Sequence, residues 1–289
     1  MALGSSELIL NADGSIYHLN LLPSDIATTI ITVGDPDRVH DVSKYFDTLT
    51  VKKGKREFHT HTGILNGKRL SVISTGIGTD NIDIVLNELD ALVNIDFNSK
   101  KVKSDFTQLD LVRIGTSGAI QPEIKVDSFL TSEFALGLDG LLHFYQHQIT
   151  TDDNFIEAFV AQTGWDVKKA LPYLVKCDET LLKLMDSNRI RFGTTATNSG
   201  FYGPQGRNLR LQSQDPGLNE KLMKFQYQTM KVTNLEMETA GIYALAKLLG
   251  HRAISMNCIL ANRSTETFSA TPRQSVNELI EYVLERLVA

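Results

Sequence analysis

An arginine embedded in an apolar run and followed by small hydrogen-bonding residues is the arrangement in this sequence best suited to chemistry. The run is LVRIGTSGAIQ, residues 111–121, in which Arg113 lies among apolar residues and precedes the Gly-Thr-Ser-Gly segment at 115–118. Guanidinium forks, hydroxyl groups and unhindered glycine amides are groups that bind phosphate. A charge inside a strand of a covered sheet can also be stabilised by an ion pair. The run therefore predicts an anion site or a structural ion pair, and its residues alone leave both open.

A second junction between a strand and a helix offers similar groups. The β-branched run at 26–33 predicts a strand, and Gly34 follows it. Asp35 fits a helix N-cap, with Pro36 at the first helical position. A helix N-terminus with Arg38 in its first turn predicts a second anion site.

Two further segments carry residues that suit binding or catalysis. The loop NSGFYGPQGR, residues 198–207, places Gln205 and Arg207 among aromatic and turn residues, a composition typical of functional loops. In NLEMET, Glu236 and Glu238 are two residues apart, so they cannot share one face of a helix. We expect one of these carboxylates to point into a site and the other to point elsewhere.

Composition restricts the class of protein. The chain has 289 residues, 42% of them hydrophobic and 22% charged, as in ordinary soluble globular proteins. Its formal net charge of −5 argues against duplex nucleic acid as a partner, because such a protein would show a basic face. Cys177 and Cys258 are far apart and suit a reducing compartment. Since neither a signal peptide nor an apolar run of membrane-spanning length is found, we expect a cytoplasmic protein without membrane partners.

Strand and helix patterns alternate along the whole chain, without a linker or a repeat. They predict one α/β domain over residues 1–289, with an irregular tail at 1–15 and helices covering a largely parallel or mixed sheet. The strand that carries Arg113 is expected to end at Ile114, where the small residues begin, and Asp80 is expected to cap a helix. Other predicted elements are strands at 69–74, 126–134, 191–197 and 252–260, and helices at 154–160, 167–185, 218–230, 232–250 and from 273 onward.

Taken together, these motifs resemble those of the uridine phosphorylases, in the class of the nucleoside phosphorylase superfamily that has one α/β domain per subunit. The matching motifs are GDPDRV at 34–39, RIGTSGAIQ at 113–121, FYGPQGR at 201–207, NLEMET at 234–239 and NRS at 262–264. Each motif is short, but their order and their links to strand ends match over roughly residues 16–288. The resemblance implies a three-layer αβα fold with a central mixed sheet.

The resemblance also implies roles for particular residues. Those implied for phosphate are Gly34, Arg38, Arg113 and Thr116, together with Arg56 from a neighbouring subunit. Those implied for ribose are Thr116, Met237 and Glu238, with His18 of the adjacent subunit at the 5′-hydroxyl. Those implied for the base are Phe201, Gln205 and Arg207. Among all of these, the implied catalytic residues are Arg113, Gln205, Arg207 and Glu238.

The implied reaction is the reversible phosphorolysis of uridine to uracil and ribose 1-phosphate. Inorganic phosphate is the nucleophile and a co-substrate, so no cofactor is expected. Purine-specific relatives usually place an aspartate near the turn at 261–263, where this chain has Ala-Asn-Arg, and the lack of an acid favours a pyrimidine. The alternatives are a nucleosidase that uses water, a purine nucleoside phosphorylase and a non-catalytic nucleoside sensor.

Departures from the family pattern bear on assembly. Gly206 replaces an acid often found between the glutamine and the arginine, and segments 94–108 and 145–170 are longer than in the short bacterial enzymes. Asn81 stands where some members have a serine near an intersubunit monovalent-cation site, to which Glu57 would belong; no other metal is expected. The implied minimal unit is a homodimer. A hexamer, cation binding and the tolerance of thymidine and deoxyuridine are left open.

Overall fold

Runs of β-branched and apolar residues form one large sheet and a small hairpin in the computed structural model, which describes residues 2–146 and 152–289. The strands are β1 (Thr29–Val33), β2 (Thr48–Lys55), β3 (Phe58–Leu65), β4 (Lys68–Ser74), β5 (Ile95–Asp96), β6 (Lys101–Val102), β7 (Asp110–Ala119), β8 (Phe129–Gly137), β9 (Tyr173–Lys176), β10 (Ile190–Thr197), β11 (Gln226–Tyr227), β12 (Met230–Glu236), β13 (Arg252–Asn262) and β14 (Thr267–Phe268). The α-helices are α1 (Pro36–Ser43), α2 (Thr79–Asn94), α3 (Asp153–Thr163), α4 (Glu179–Met185), α5 (Leu218–Lys224), α6 (Thr239–Leu248) and α7 (Pro272–Val288).

The large sheet is mixed, with the strand order β11-β12-β10-β8-β13-β7-β1-β4-β3-β2; β9 lies beside β8 and β14 beside β13. Strands β13, β7, β1 and β4 run parallel, whereas β2 and β3 add an antiparallel edge next to β4. β12 also pairs with β7, where Asn234 lies opposite Ala119 and Leu235 opposite Gly118. Strands β7, β13, β8, β10 and β12 therefore close into a ring.

Helices cover both faces of the sheet, which confirms the predicted three-layer arrangement. Successive residues of a strand point to opposite faces, so Ile30 packs with α2 and α6 while Ile31 packs with α1, α4 and α7. Helices α3 and α5 pack together beside β12. Residues 2–15 form turns, but Leu8 within them is buried in the core. None of the described helices is both long enough and apolar enough to cross a membrane.

Strand β7 is longer than the sequence predicts. The Gly-Thr-Ser-Gly segment at 115–118 continues the strand instead of turning. Its polar groups find partners within the sheet, since the Ser117 hydroxyl accepts a hydrogen bond from Asn234 Nδ2 at 2.9 Å and β13 runs parallel beside the segment. Pairing with distant strands thus overrides the local turn preference of these residues.

The helix predicted at 167–185 is wrong. Residues 173–176 form β9, an edge strand antiparallel to β8, and only the short helix α4 follows. Helix α4 begins there because the Asp178 side chain accepts hydrogen bonds from the amides of Thr180 and Leu181. The predicted insertion at 145–170 includes residues 147–151, which lie outside the described part of the chain.

Other boundaries also differ from the prediction, and the helix predicted at 218–230 ends at Lys224, before β11. Residues 232–236 belong to strand β12 and not to a helix, because they pair with β10 and β7. Asp80 does not cap α2, whose N-cap residue is Gly78. By contrast, Asp35 caps α1 as predicted, with its side chain accepting from the amide of Asp37 and with Pro36 in the first turn.

Candidate active site

A cavity of about 850 Å³ lies beside the ends of β1 and β12 and the second half of β7. Strands that run parallel end at one edge of a sheet, so residues distant in the sequence meet there. The cavity contains every predicted site residue except His18 and Arg56. The predicted residues in its lining are Gly34, Arg38, Arg113, Thr116, Phe201, Gln205, Arg207, Met237 and Glu238.

A second cavity, of about 740 Å³, is lined by Trp165 and by residues between 198 and 218. It shares Arg207 with the first cavity and contains no other predicted site residue. The candidate active site is therefore the first cavity.

Arg113 forms the buried centre of the candidate site. Its side chain folds back over Gly115, where an added Cβ would lie 1.5 Å from Nη1. Nη2 lies 2.5 Å from Glu238 Oε2 and 3.4 Å from Glu236 Oε2. Burial alone would lower the pKa of Arg113, but these two carboxylates outweigh it and raise the pKa. The two interpretations of Arg113 are thus not exclusive, because it is ion-paired and also lines the cavity.

The two glutamates of NLEMET have different hydrogen-bond partners, but both line the cavity, so the prediction that one of them points elsewhere is wrong. Glu236 accepts hydrogen bonds from the Thr197 hydroxyl at 2.6 Å and from the amides of Glu238 and Thr239, both at 2.9 Å. It thereby satisfies backbone groups at the start of α6. Glu238 accepts from the amide of Gly78 at 2.8 Å. Burial raises the pKa of Glu238, and so does Glu236, while Arg113 opposes this shift.

The end of β1 supplies a second positive charge. Arg38, in the first turn of α1, lines the cavity beside Gly34, and its guanidinium makes no hydrogen bond within the described residues. Burial lowers the pKa of Arg38, and the nearby charge of Arg113 adds to this effect. These two guanidinium groups, together with Thr116, which also lines the cavity, can bind a compact anion.

Gln205 and Arg207, which also line the cavity, form a polar cluster. Gln205 Oε1 accepts hydrogen bonds from Arg207 Nη1 at 2.8 Å and from Arg263 Nη2 at 2.5 Å. Guanidinium groups only donate, so these contacts fix the amide orientation and leave the Gln205 NH₂ group to face a ligand. The Arg207 guanidinium also lies 3.7 Å from the centre of the Phe201 ring, covering one face of it. The cluster therefore presents hydrogen-bond donors.

Arg263 is a residue of this cluster that the sequence reasoning does not assign. Besides Gln205 Oε1, it donates to the Gln205 backbone carbonyl at 2.6 Å, and burial lowers its pKa to about 10, with Arg207 adding to the shift. The NRS motif contains Arg263, but nothing in its sequence neighbourhood connects it to a loop about 60 residues earlier. The contact exists only because β13 ends beside that loop.

His18 and Arg56 are not brought into this cavity. Arg56 is exposed at the turn between β2 and β3, with a φ of 56°, and makes no ion pair within the described residues. His18 is held against Glu88 of α2. Glu57, next to Arg56, does line the cavity and lies with Asn81 close to Gly76. Among the described residues, no group of three or more His, Cys, Asp or Glu side chains could hold a metal ion.

Comparisons with known proteins agree on one family. The family model described as "Phosphorylase superfamily" matches residues 28–289. A uridine phosphorylase from Thermococcus kodakarensis is 31% identical over 271 residues, which cover 91% of this chain and 83% of that protein. A DeoD-type purine nucleoside phosphorylase from Hahella chejuensis is 28% identical over 275 residues, with coverages of 94% and 98%. The solved structure of a Trypanosoma brucei nucleoside phosphorylase that shows uridine phosphorylase activity matches with a TM-score of 0.86 and 29% identity, covering 98% of this chain and 99% of that one.

Because the Arg113 side chain lies over Gly115, we expect that adding one methyl group at position 115 strongly lowers the stability of the protein. Gly115→Ala should displace the guanidinium from Glu238 and lower the free energy of unfolding by about 3–5 kcal/mol, because a buried charge loses its partner. Gly118→Ala on the same strand is the control, since its new Cβ would meet only ordinary contacts at 3.7 Å or more. It should change the free energy by less than about 1 kcal/mol. Urea unfolding measures both, and equal values for the two variants would contradict this role of Gly115.

Proposed function

The chain belongs to the phosphorylase superfamily, and from this membership we propose that it is a uridine phosphorylase, which converts uridine and phosphate reversibly into uracil and ribose 1-phosphate. One observation supports the proposal above all others. The same cavity is lined by two arginines, by a buried carboxylate and by a cluster of hydrogen-bond donors. These are the groups that a phosphate, a ribose and a uracil require.

We assign the phosphate to Arg38 and Arg113. A phosphate dianion there would be bound by charge-assisted hydrogen bonds from both guanidinium groups, supplemented by the Thr116 hydroxyl and the backbone at Gly34. Binding it between fixed groups also positions a phosphate oxygen for attack on C1′ of the ribose. Such positioning replaces an activated serine or cysteine, because phosphate itself is the nucleophile.

We assign the ribose to Glu238 and Met237. The Glu238 carboxylate is oriented by Arg113 and by the amide of Gly78, and it would accept hydrogen bonds from the 2′- and 3′-hydroxyls. Cleavage of the glycosidic bond builds positive charge on the ribose ring. The phosphate dianion and the Glu238 carboxylate are the negative groups that would stabilise this charge.

We assign the base to Gln205, Arg207 and Phe201. Uracil presents carbonyl acceptors at O2 and O4, which match the free NH₂ group of Gln205 and the guanidinium of Arg207. As the bond breaks, negative charge moves onto the uracil, and each preorganised donor would stabilise it by about 2.7–4 kcal/mol. Cytosine replaces the O4 acceptor with an amino donor, so the same cluster would reject cytidine.

We further propose that two subunits complete each site. His18 and Arg56 lie outside the cavity of their own chain, and Arg56 is exposed without an ion-pair partner among the described residues. In a twofold-symmetric dimer the same pair of surfaces forms two equivalent sites. Arg56 would then reach the phosphate, and His18 the 5′-hydroxyl, of the neighbouring subunit's site.

The alternative with support from a relative is a purine nucleoside phosphorylase, since a purine enzyme is 28% identical over most of its length. Purine cleavage requires an acid to protonate the ring, but the residues at the corresponding turn contact Gln205 through Arg263. A nucleosidase would not need Arg38 and Arg113 around an anion. The donor cluster and the two arginines therefore favour the uridine phosphorylase over both.

Phosphate dependence is the first test. Purified protein should release uracil from uridine only when inorganic phosphate is present, because the proposed nucleophile is phosphate. Uracil release is followed by ultraviolet absorbance in buffer with and without phosphate. Equal rates in the two buffers would contradict the proposal and favour a nucleosidase, and faster cleavage of inosine than of uridine would favour the purine enzyme.

Replacing Arg207 should lower kcat/KM for uridine more than replacing Arg210, an exposed arginine nearby in the chain. Arg207→Ala should lower kcat/KM for uridine at least tenfold, about 1.4 kcal/mol, because a charge-assisted contact to the base is lost together with one of the two contacts that orient Gln205. Arg210, which lines only the second cavity, provides the control, and Arg210→Ala should retain kcat/KM within about twofold. Similar losses in both variants would remove Arg207 from the base site.

Subunit sharing can be tested by complementation. Arg56→Ala and Glu238→Gln should each be nearly inactive alone, but unfolding and refolding them together should form mixed dimers. In a mixed dimer one site carries both lesions and the other carries neither, so random pairing restores about a quarter of all sites. Activity of the mixture measures this fraction, and native mass spectrometry confirms the mixed dimers. If mixed dimers form without recovered activity, Arg56 and Glu238 do not act in sites of different subunits.

A further inference from the structure

The segment that carries His18 is fastened to helix α2 by one carboxylate. Glu88 accepts a hydrogen bond from the backbone amide of His18 at 3.0 Å and from that of Leu19 at 2.9 Å. It also lies 2.6 Å from His18 Nδ1. The Leu19 and Leu21 side chains, which follow His18 in the chain, are fully buried. Glu88 thus fixes both the backbone and the ring of His18.

The short contact determines which ring nitrogen of His18 is available to a ligand. A carboxylate accepts hydrogen bonds, so the proton of a neutral imidazole must lie on Nδ1 and the lone pair on Nε2. Nε2 makes no hydrogen bond within the described residues, and 26% of the side chain is exposed. Tyr17 packs edge-on against the ring at 4.7 Å between centroids, and Phe58 lies at 6.5 Å. Glu88 therefore binds Nδ1 of the ring, and Nε2 is left as a hydrogen-bond acceptor for a ligand.

We infer that Glu88 is a positioning residue, which holds His18 so that Nε2 accepts a hydrogen bond from the 5′-hydroxyl of a ribose bound in the neighbouring subunit. This inference rests on the proposed function, because it needs a nucleoside in that site. Helix α2 makes the arrangement rigid. Its N-cap residue Gly78 donates to Glu238 in the cavity, and Glu88 lies on the same helix, about 15 Å further along its axis.

The test uses a ratio that is insensitive to the amount of folded enzyme. The selectivity ratio is kcat/KM for uridine divided by kcat/KM for 5′-deoxyuridine, which lacks the hydroxyl; both are measured on one preparation of full-length protein. The unaltered protein should give a ratio of about 10, and His18→Ala a ratio near 1. Glu88→Ala should also fall to about 1–2, and the double variant should equal His18→Ala, because both changes remove the same contact.

Two further variants separate positioning from a general structural effect. Asp90→Ala removes a carboxylate from the same helix that lies 3.2 Å from a different histidine, His251, and it should keep the selectivity ratio within about twofold of the unaltered protein. Glu88→Gln can still accept from the backbone amides, but its NH₂ group faces Nδ1 and moves the ring proton to Nε2. A hydroxyl both donates and accepts, so this variant should recover a ratio at least about threefold above that of Glu88→Ala.

Nitrogen-15 NMR of the histidine rings tests the tautomer directly, with His18→Ala identifying the His18 signals. We expect the Nδ1–H form in the unaltered protein and the Nε2–H form in Glu88→Gln. An unchanged selectivity ratio in Glu88→Ala, a ratio near 1 in the unaltered protein, or an Nε2–H tautomer in the unaltered protein would overturn the inference while the uridine phosphorylase proposal stands. Failure to cleave uridine at all would overturn the proposed function, and this inference with it.

Discussion

The buried contact between Arg113 and Glu238 is the interaction on which the rest of the candidate site depends. Each charge would be strongly destabilising in the core without the other. Arg113 reaches Glu238 only because Gly115 leaves space for the guanidinium and because the pairing of β12 with β7 brings the two strands together. The closed ring of strands is therefore what makes an ion pair possible between residues that are 125 positions apart.

This ion pair also links the phosphate-binding and the ribose-binding parts of the proposed site. Arg113 is one of the two guanidinium groups assigned to the phosphate, while Glu238 is the acceptor assigned to the ribose, and both line the cavity. Glu236 lies further from Arg113, at 3.4 Å, and its oxygens accept hydrogen bonds from Thr197 and from the first amides of α6. One glutamate of NLEMET thus holds the start of a helix, which leaves the other free to be oriented by Arg113 and Gly78.

Local sequence predicts the parts of the site that lie within one strand and the turn after it. Gly34, Asp35 and Arg38 are such a group, and their helix begins where the capping residues predict. Local sequence does not predict the structure of a segment where pairing with a distant strand determines it. The small residues at 115–118 have turn preferences, but β13 and Asn234 hold them in a strand. Contacts such as Glu88 to His18, 70 residues apart, leave no local pattern and emerge only from the packed structure.

The central claim is that phosphate attacks the ribose in this cavity, and the fate of the phosphate oxygens tests it most directly. Uridine is incubated with the protein and inorganic phosphate carrying ¹⁸O at all of its oxygens, and the products are followed by phosphorus NMR. Attack by phosphate on C1′ predicts ribose 1-phosphate that retains every label, including the bridging oxygen, in an amount equal to the uracil released. Free ribose, with the labelled phosphate left unchanged, would contradict the claim.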